Sequence, residues 1–176
     1  MRDSFRQLLR SLPDFPEVLP DFDPAAAPGD PAELFRQWFD AALAAGVPQP
    51  SACSLATADE QGRPSARMLI LKDIDHDGWH FATSRESRKG RELTANPQAA
   101  LTFFWQQQGR QIRVAGPVTE LSAEASAAEW QARPGADGSE NPDWQLYAIR
   151  PREIEFWQAQ HNRRHIRHRF GPDELS

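Results

Sequence analysis

A mainly β architecture with inserted helices, an α+β chain closing as a small antiparallel barrel, is the fold this sequence predicts. Three observations predict it. The apolar periodicity changes from the helical 3.6 to the strand-like 2 after Ser51. The alternating runs that follow are joined by tight turns at Gln61-Gly62 and His76-Asp77-Gly78, too short for the crossover that parallel neighbours need. Helical stretches interrupt the strands without alternating with them, which argues against a doubly wound sheet. With 176 residues the chain fits one domain, expected over 31–176, preceded by an irregular arm over 1–30.

The arm opens with Phe5, Leu8, Leu9 and Leu12 at helical spacing, a short amphipathic piece that Pro13 ends. Prolines at 16, 20, 24, 28 and 31 then keep it irregular. Asp30-Pro31 is a helix start, with Asp as N-cap and Pro in the first turn. Leu34, Phe35, Trp38, Phe39, Ala42 and Leu43 make one apolar face for core packing, and Gly46-Val47-Pro48 stops the helix. Strands are expected at 52–59, 66–74 and 79–83, then a helix from Ser87 to about Ala95 ended by Asn96-Pro97. Strands at 99–107 and 110–121 follow, turning at Gly109. Ser122 caps another helix, which Arg133-Pro134-Gly135 ends. Strands at 145–150 and 153–158 precede a basic tail, for six or seven strands in all.

Bulk composition narrows the function classes. A net charge of −5 argues against a general nucleic-acid binder. The single cysteine, Cys53, excludes an intrachain disulfide and a multi-Cys metal site, and a core thiol is the plain reading of it. No apolar run suits a signal peptide or a membrane span, so a soluble, cytoplasmic protein without membrane partners is expected.

The residues that could carry chemistry gather in the middle and at the end of the chain. Ser84 to Gly90, SRESRKG, puts hydroxyls, free N–H groups and the cations Arg88 and Lys89 at a positive helix end, a phosphate-binding arrangement. A solvated basic cap is the plain alternative. On the preceding strand Arg67 shares a face with Leu69 and Leu71, and Lys72 shares the other with Met68 and Ile70. Cations on opposite faces can serve two anions, a cofactor phosphate and a substrate phosphate, or can simply snorkel at strand ends. Gln111 shares a face with Arg113, and its amide suits the edge of a heterocycle or plain solvent. In the tail, Glu155-Phe156-Trp157-Gln158 precedes His161, Arg163, Arg164, His165, Arg167, His168 and Arg169. The arginines would repel a metal ion, so no metal site is assigned; an anionic pocket or a nucleic-acid tail are the other readings, the latter weakened by the acidic chain. Cations spread over separate segments are gathered by one anionic ring system, and a phosphorylated flavin fits that description.

RMLILK at 67–72, SRKGREL at 87–93, NPQAALTFFW at 96–105, RQIRVAGPV at 110–118, IEFWQ at 154–158 and RRHIR at 163–167 together resemble the pyridoxamine 5′-phosphate oxidase family. So do DPAELFRQWFDAA and ATADEQGRPSARM, all in the family's order over roughly 30–134 and 148–168. The resemblance implies an FMN-binding split antiparallel β-barrel, a homodimer with FMN at the subunit interface. It implies FMN contacts from Arg67, Met68, Leu69, Ile70, Leu71, Lys72, Ala82, Thr83, Arg88, Lys89, Gln111, Trp157 and Arg167. It implies substrate contacts from Lys72, Arg133, Arg163 and His165, with Arg163 and His165 nearest the chemistry. The implied reaction oxidises pyridoxamine or pyridoxine 5′-phosphate to pyridoxal 5′-phosphate, with O2 reoxidising the flavin to give hydrogen peroxide. Three departures qualify it. Only GADGSENPDWQL fills a segment that is longer in the family. Glu129 stands where the family has a tyrosine that grips the substrate phosphate. The chain ends FGPDELS without the family's terminal tryptophan. They leave open a same-fold FMN enzyme with another substrate, or a non-enzymatic flavin- or haem-binding split barrel.

Overall fold

In a computed structural model that describes residues 4–175, the chain forms nine strands and four α-helices. Helix α1 (Phe5–Ser11) is closed by a capping box at Ser4 and buries no residue. Helix α2 (Pro31–Ala44) starts where Asp30 accepts a hydrogen bond from the Ala32 N–H at 2.8 Å. It buries Leu34, Phe35, Trp38 and Ala42. Leu43, expected on that face, is 53% exposed, because it lies at the edge of the stripe in the helix's last turn.

Strands β1 (Ala52–Ala58), β2 (Pro64–Ile70), β3 (Asp73–Asp75) and β4 (Gly78–Ser84) lead to α3 (Arg88–Ala95). Next come β5 (Gln98–Trp105), β6 (Arg110–Glu120), α4 (Ala123–Ala132), β7 (Trp144–Ile149), β8 (Glu153–Gln158) and β9 (Ile166–Phe170). All pairings are antiparallel, in the order β2-β1-β5-β6-β7-β4-β3, with β8 between β6 and β9. The expected strand over 66–74 is therefore two strands. Its first part pairs with β1; at Leu71 and Lys72 the backbone changes partner, Leu71 N–H bonding to Ser51 O at 2.9 Å and Lys72 N–H to His80 O at 2.8 Å. That change brings the sheet back onto its own first edge.

Strand β6 makes the other corner. Its first half pairs with β8 and its second half with β7. Between them, Gly116 lies under the turn linking β7 and β8, where a Cβ would fall 2.0 Å from Arg150 O. Only glycine permits that approach. The expected basic tail is in part a strand: β9 pairs with β8 from Gln158↔Ile166 to Ile154↔Phe170. With the split strand, it raises the count from the expected six or seven to nine. Phe35 fills the core centre, 4.6 Å from the Trp79 ring and 5.0 Å from Phe103. From the arm, Phe22 packs edge-on to Trp38 at 5.0 Å.

Candidate active site

Three groups of residues carry the chemistry, the first at the start of α3. Ser87 Oγ caps the helix by accepting the Gly90 N–H at 3.2 Å and donates to Ser84 O at 2.7 Å. Gly90 lets the helix begin hard against the preceding loop, since a Cβ there would lie 2.3 Å from Arg85 O. Beneath Arg88 lies Glu92, which is 6% exposed. Its carboxylate accepts from Thr57 Oγ1 at 2.5 Å, Ser65 Oγ at 2.6 Å, Arg88 Nε at 2.8 Å and Arg67 at 3.2 Å. Burial alone would push the Glu92 pKa up. The bonds from Ser65, Thr57, Arg88 and Arg67 outweigh it and hold the carboxyl at about 2. Arg67 also donates to Thr57 Oγ1 and Ser65 Oγ, each at 2.5 Å. Burial, and then the charge of Arg67, pull the Lys89 pKa below its ordinary value. Among the described residues no carboxylate pairs with Lys89. Two arginines on one buried carboxylate, with Lys89 as a third cation that feels the charge of Arg67, leave a positive surplus at a helix N-terminus, which is what a phosphate needs.

The second group lies where the backbone leaves β2. Lys72 Nζ is 2.6 Å from Glu129 Oε1 on α4. The other Glu129 oxygen accepts from Trp144 Nε1. The Arg133 guanidinium lies on the Trp130 ring, 3.3 Å from its centroid, and 4.9 Å from that of Trp144. Met68, Leu69, Ile70, Lys72, Ala82, Arg133 and Trp144 line one open cavity of about 350 Å³ with Gln49 and Ala52. Thr83, buried next to it in sequence, is linked to Ser87 through a 3.3 Å hydroxyl contact.

The third group lies across β6, β8 and β9, where the register sets Gln111 opposite Trp157 and Trp157 opposite Arg167. The His165 ring is 4.7 Å from that of Trp157. Its Nδ1 accepts the Gln160 N–H at 3.0 Å, so in the neutral ring the proton is on Nε2. Arg163 has a left-handed backbone, φ 63°, and pairs with Asp14 of the arm at 2.8 Å. Phe15 packs against the other part of Trp157 at 6.0 Å. The arm thus lies over this third group.

The structure brings the first two groups together and separates both from the third. Cross-strand partners share a face, and Arg67 is registered through Leu55 and Leu101 to Val114 and Ile154, all buried. Gln111, Trp157 and Arg167 alternate with those positions and face outward. From β2 to β9 there are five strand spacings, roughly 24 Å along the sheet. Among the described residues no hydrogen bond or ion pair joins the third group to the others. Met68 (68% exposed), Ile70 and Phe104 make that outer face apolar.

Sequence reasoning missed Glu92, Trp130 and Trp144. Glu92 stands four residues after Arg88, an ion-pair spacing on a helix, and that was its available signal. Trp130 stands three residues before Arg133, a neighbour spacing on a helix, and that was its signal; Trp144 had none, because its partner Glu129 is met only once α4 packs on β7.

Comparison with known proteins follows this geometry. Residues 39–158 match the family described as pyridoxamine 5′-phosphate oxidase, and residues 144–175 match the pyridoxine 5′-phosphate oxidase C-terminal dimerisation region. The pyridoxine/pyridoxamine 5′-phosphate oxidase of Bordetella petrii is 41% identical, covering 86% of each chain. That of Salinibacter ruber is 40% identical over 80% of this chain and 82% of its own. Among solved structures, PhzG from Burkholderia lata, in complex with tetrahydrophenazine-1-carboxylic acid, superposes with a TM-score of 0.82 at 29% identity, covering 88% of this chain and 92% of that one. An FMN-binding protein from Nostoc punctiforme shares the fold at a TM-score of 0.58 and 17% identity, over 78% of this chain and 97% of its own. No helix among the described residues is long and apolar enough to cross a membrane. With its split antiparallel barrel and a family match over most of its length, the chain belongs to the pyridoxamine 5′-phosphate oxidase family, whose members are FMN-dependent oxidoreductases.

Proposed function

We propose that this chain is an FMN-dependent oxidase working as a homodimer, with each flavin held between two copies. The observation that carries the reading is the α3 cradle. Arg67 and Arg88 pair with one buried carboxylate, and Lys89, which feels the charge of Arg67, has no counter-charge of its own among the described residues. These residues fit the flavin phosphate, and the backbone of 68–71 with Ala82 and Thr83 would lie along the ring system. Gln111, Trp157 and Arg167 face away from this group within one chain, so a second copy would supply them. The apolar outer face and the dimerisation-region match support that arrangement.

Bound FMN would take a hydride from a substrate carbon and pass the electrons to O2, giving hydrogen peroxide. The chain's own residues then position, exclude water and hold protons. His165 is oriented by the Gln160 N–H so that Nε2 is free to meet a substrate oxygen or nitrogen. Arg163 exchanges Asp14 for substrate when the arm moves, since both side chains are mostly exposed. Oxidation of pyridoxamine or pyridoxine 5′-phosphate, the reaction in its relatives' names, is the first reading, with Lys72, Arg133, Arg163 and His165 on the substrate. A second, the same chemistry on another substrate, is favoured by the Lys72–Glu129 pair, which occupies the lysine expected to meet the substrate phosphate.

The test is direct. The purified protein should be yellow, and pyridoxamine 5′-phosphate added without oxygen should bleach it under the first reading. Bleaching by an unphosphorylated ring alone supports the second. A colourless protein that does not take up FMN at high concentration refutes both.

A further inference from the structure

The β3–β4 hairpin carries a cluster of metal-ligand types among residues that neither flavin nor substrate has been assigned. Ile74 on β3, with Trp79 and Phe81 on β4, turns into the core. Alternation therefore sends Asp73, Asp75 and His80 to the other face. The register sets Asp73 opposite His80 and Asp75 opposite Gly78. Strand β3 ends the sheet, so this face is reached from its edge. Both aspartates are exposed, whereas His80 is 5% exposed. Its Nε2 is buried and makes no hydrogen bond among the described residues, although Asp75 Oδ1 is only 2.9 Å away. A buried imidazole nitrogen ordinarily has a partner.

Asp73, Asp75 and His80 each offer one ligand atom within 4.8 Å of the other two. Two atoms bound at about 2.1 Å to one ion lie at most about 4.2 Å apart, so a small turn of the exposed carboxylates closes the set. Their orientation is partly fixed: Asp73 accepts the Ile74 N–H and Asp75 the Asp77 N–H, each at 2.8 Å. Burial alone would raise the Asp75 pKa. The Asp77 N–H, then the charges of His80 and His76 and the Gly78 N–H, outweigh it and hold the carboxyl below its ordinary value. Among the described residues no lysine or arginine pairs with Asp73 or Asp75. Arg36 donates to Ile74 O, Lys72 pairs with Glu129, and Arg150 offsets Asp77 at 3.5 Å. With the imidazole neutral, as a ligand must be, Asp73, Asp75 and His80 carry two negative charges.

We propose that Asp73, Asp75 and His80 form a divalent-cation site of the zinc class at the edge of the sheet. One imidazole with two carboxylates suits zinc better than calcium or magnesium, which take oxygen ligands. The fourth position is open to water. The bound ion ties β3 to β4 directly after Lys72, whose N–H already meets His80 O at 2.8 Å, so it clamps the point where the strand changes partner. A neighbouring set, Asp75, His76 and Asp77, shares one ligand. Its His76 side chain is 87% exposed and Asp77 is already paired, so no buried group is aimed at it.

Calorimetric titration of ZnCl2 into chelator-dialysed protein tests the site whether or not the protein carries flavin. Wild type should bind one equivalent with a Kd below about 100 µM. Asp73→Asn, on an exposed side chain, and His80→Gln should each weaken binding at least tenfold, and His76→Ala should change it less than twofold. Matching melting curves without zinc show which variants are folded, and Asp73→Asn with His76→Ala decides the matter if His80→Gln is not. No binding by wild type, undiminished affinity in Asp73→Asn or in folded His80→Gln, or an equal loss in His76→Ala overturns the proposal, leaving His80 as a plain ion-pair partner of Asp75 in the first case.

Discussion

Replacing Glu92 with Gln removes the charge around which the α3 cradle is built while keeping its shape. The carboxylate accepts four hydrogen bonds, two of them from Arg67 and Arg88. An amide keeps one acceptor oxygen and turns an NH2 towards groups that are themselves donors. Arg88, with a side chain 68% exposed, can rehydrate. Arg67, at 22%, cannot do so fully. Losing one partner of a buried pair costs about 3–5 kcal/mol, and the exposure of Arg88 places this case near 3. For a chain of this size 1 kcal/mol is worth about 2–4 °C, so melting should fall by roughly 6–12 °C. The pH dependence has a definite sign. The folded-state carboxyl, near 2, lies below its ordinary 4.5, so the wild-type advantage is complete above the ordinary value and is lost as pH falls through the folded one. Circular dichroism melts at pH 7 and about pH 3, flavin-free and at one protein concentration, check both points. A variant melting within about 2 °C of wild type at pH 7, or a gap that does not narrow in acid, would refute the reasoning.

Gly90→Ala should disturb the cradle from its other side. The new Cβ would start 2.3 Å from Arg85 O, forcing a backbone shift that costs about 1–3 kcal/mol, and FMN titration should show at least tenfold weaker binding. His165→Ala should slow anaerobic flavin reduction by about a hundredfold in stopped flow while flavin content stays within twofold; equal loss of both would assign the ring a structural role. Cys53, 0% exposed and with its thiol pushed up to about 12 by burial, should ignore thiol reagents at pH 8 until urea unfolds the protein.

Most of the fold was legible because its signals are local. Asp30-Pro31 and Ser122 cap the helices they were expected to cap, and Gly62 and Gly109 take the left-handed backbone their turns require. What escaped is what depends on distant partners. The break at Leu71–Lys72 arises from a change of neighbour from β1 to β4, which no local pattern encodes. Strand β9 did alternate, Ile166, His168 and Phe170 inward against Arg167 and Arg169, but three charged or titratable residues in five obscured the period. In the site, the cations were visible from their spacing. What the carboxylates meet was less visible: Glu92 has its spacing to Arg88, but its bonds to Thr57 and Ser65 come from another hairpin, and Glu129 reaches Lys72 only once α4 docks.

Those two carboxylates differ in the charge they leave behind. Glu92 pairs with two arginines, and Lys89 feels the charge of Arg67, so the three cations less one carboxylate leave two positive charges beside a helix N-terminus. That remainder matches a phosphate dianion, and the buried carboxylate fixes the guanidiniums before the ligand arrives, lowering the ordering cost of binding. Glu129 meets one lysine and accepts from the Trp144 indole, so it neutralises its partner outright. Had both acids served only stability, the residual charge beside each would carry no information. The residual charge beside Glu92 is therefore set by the fold, and the proposed flavin-phosphate site rests on it.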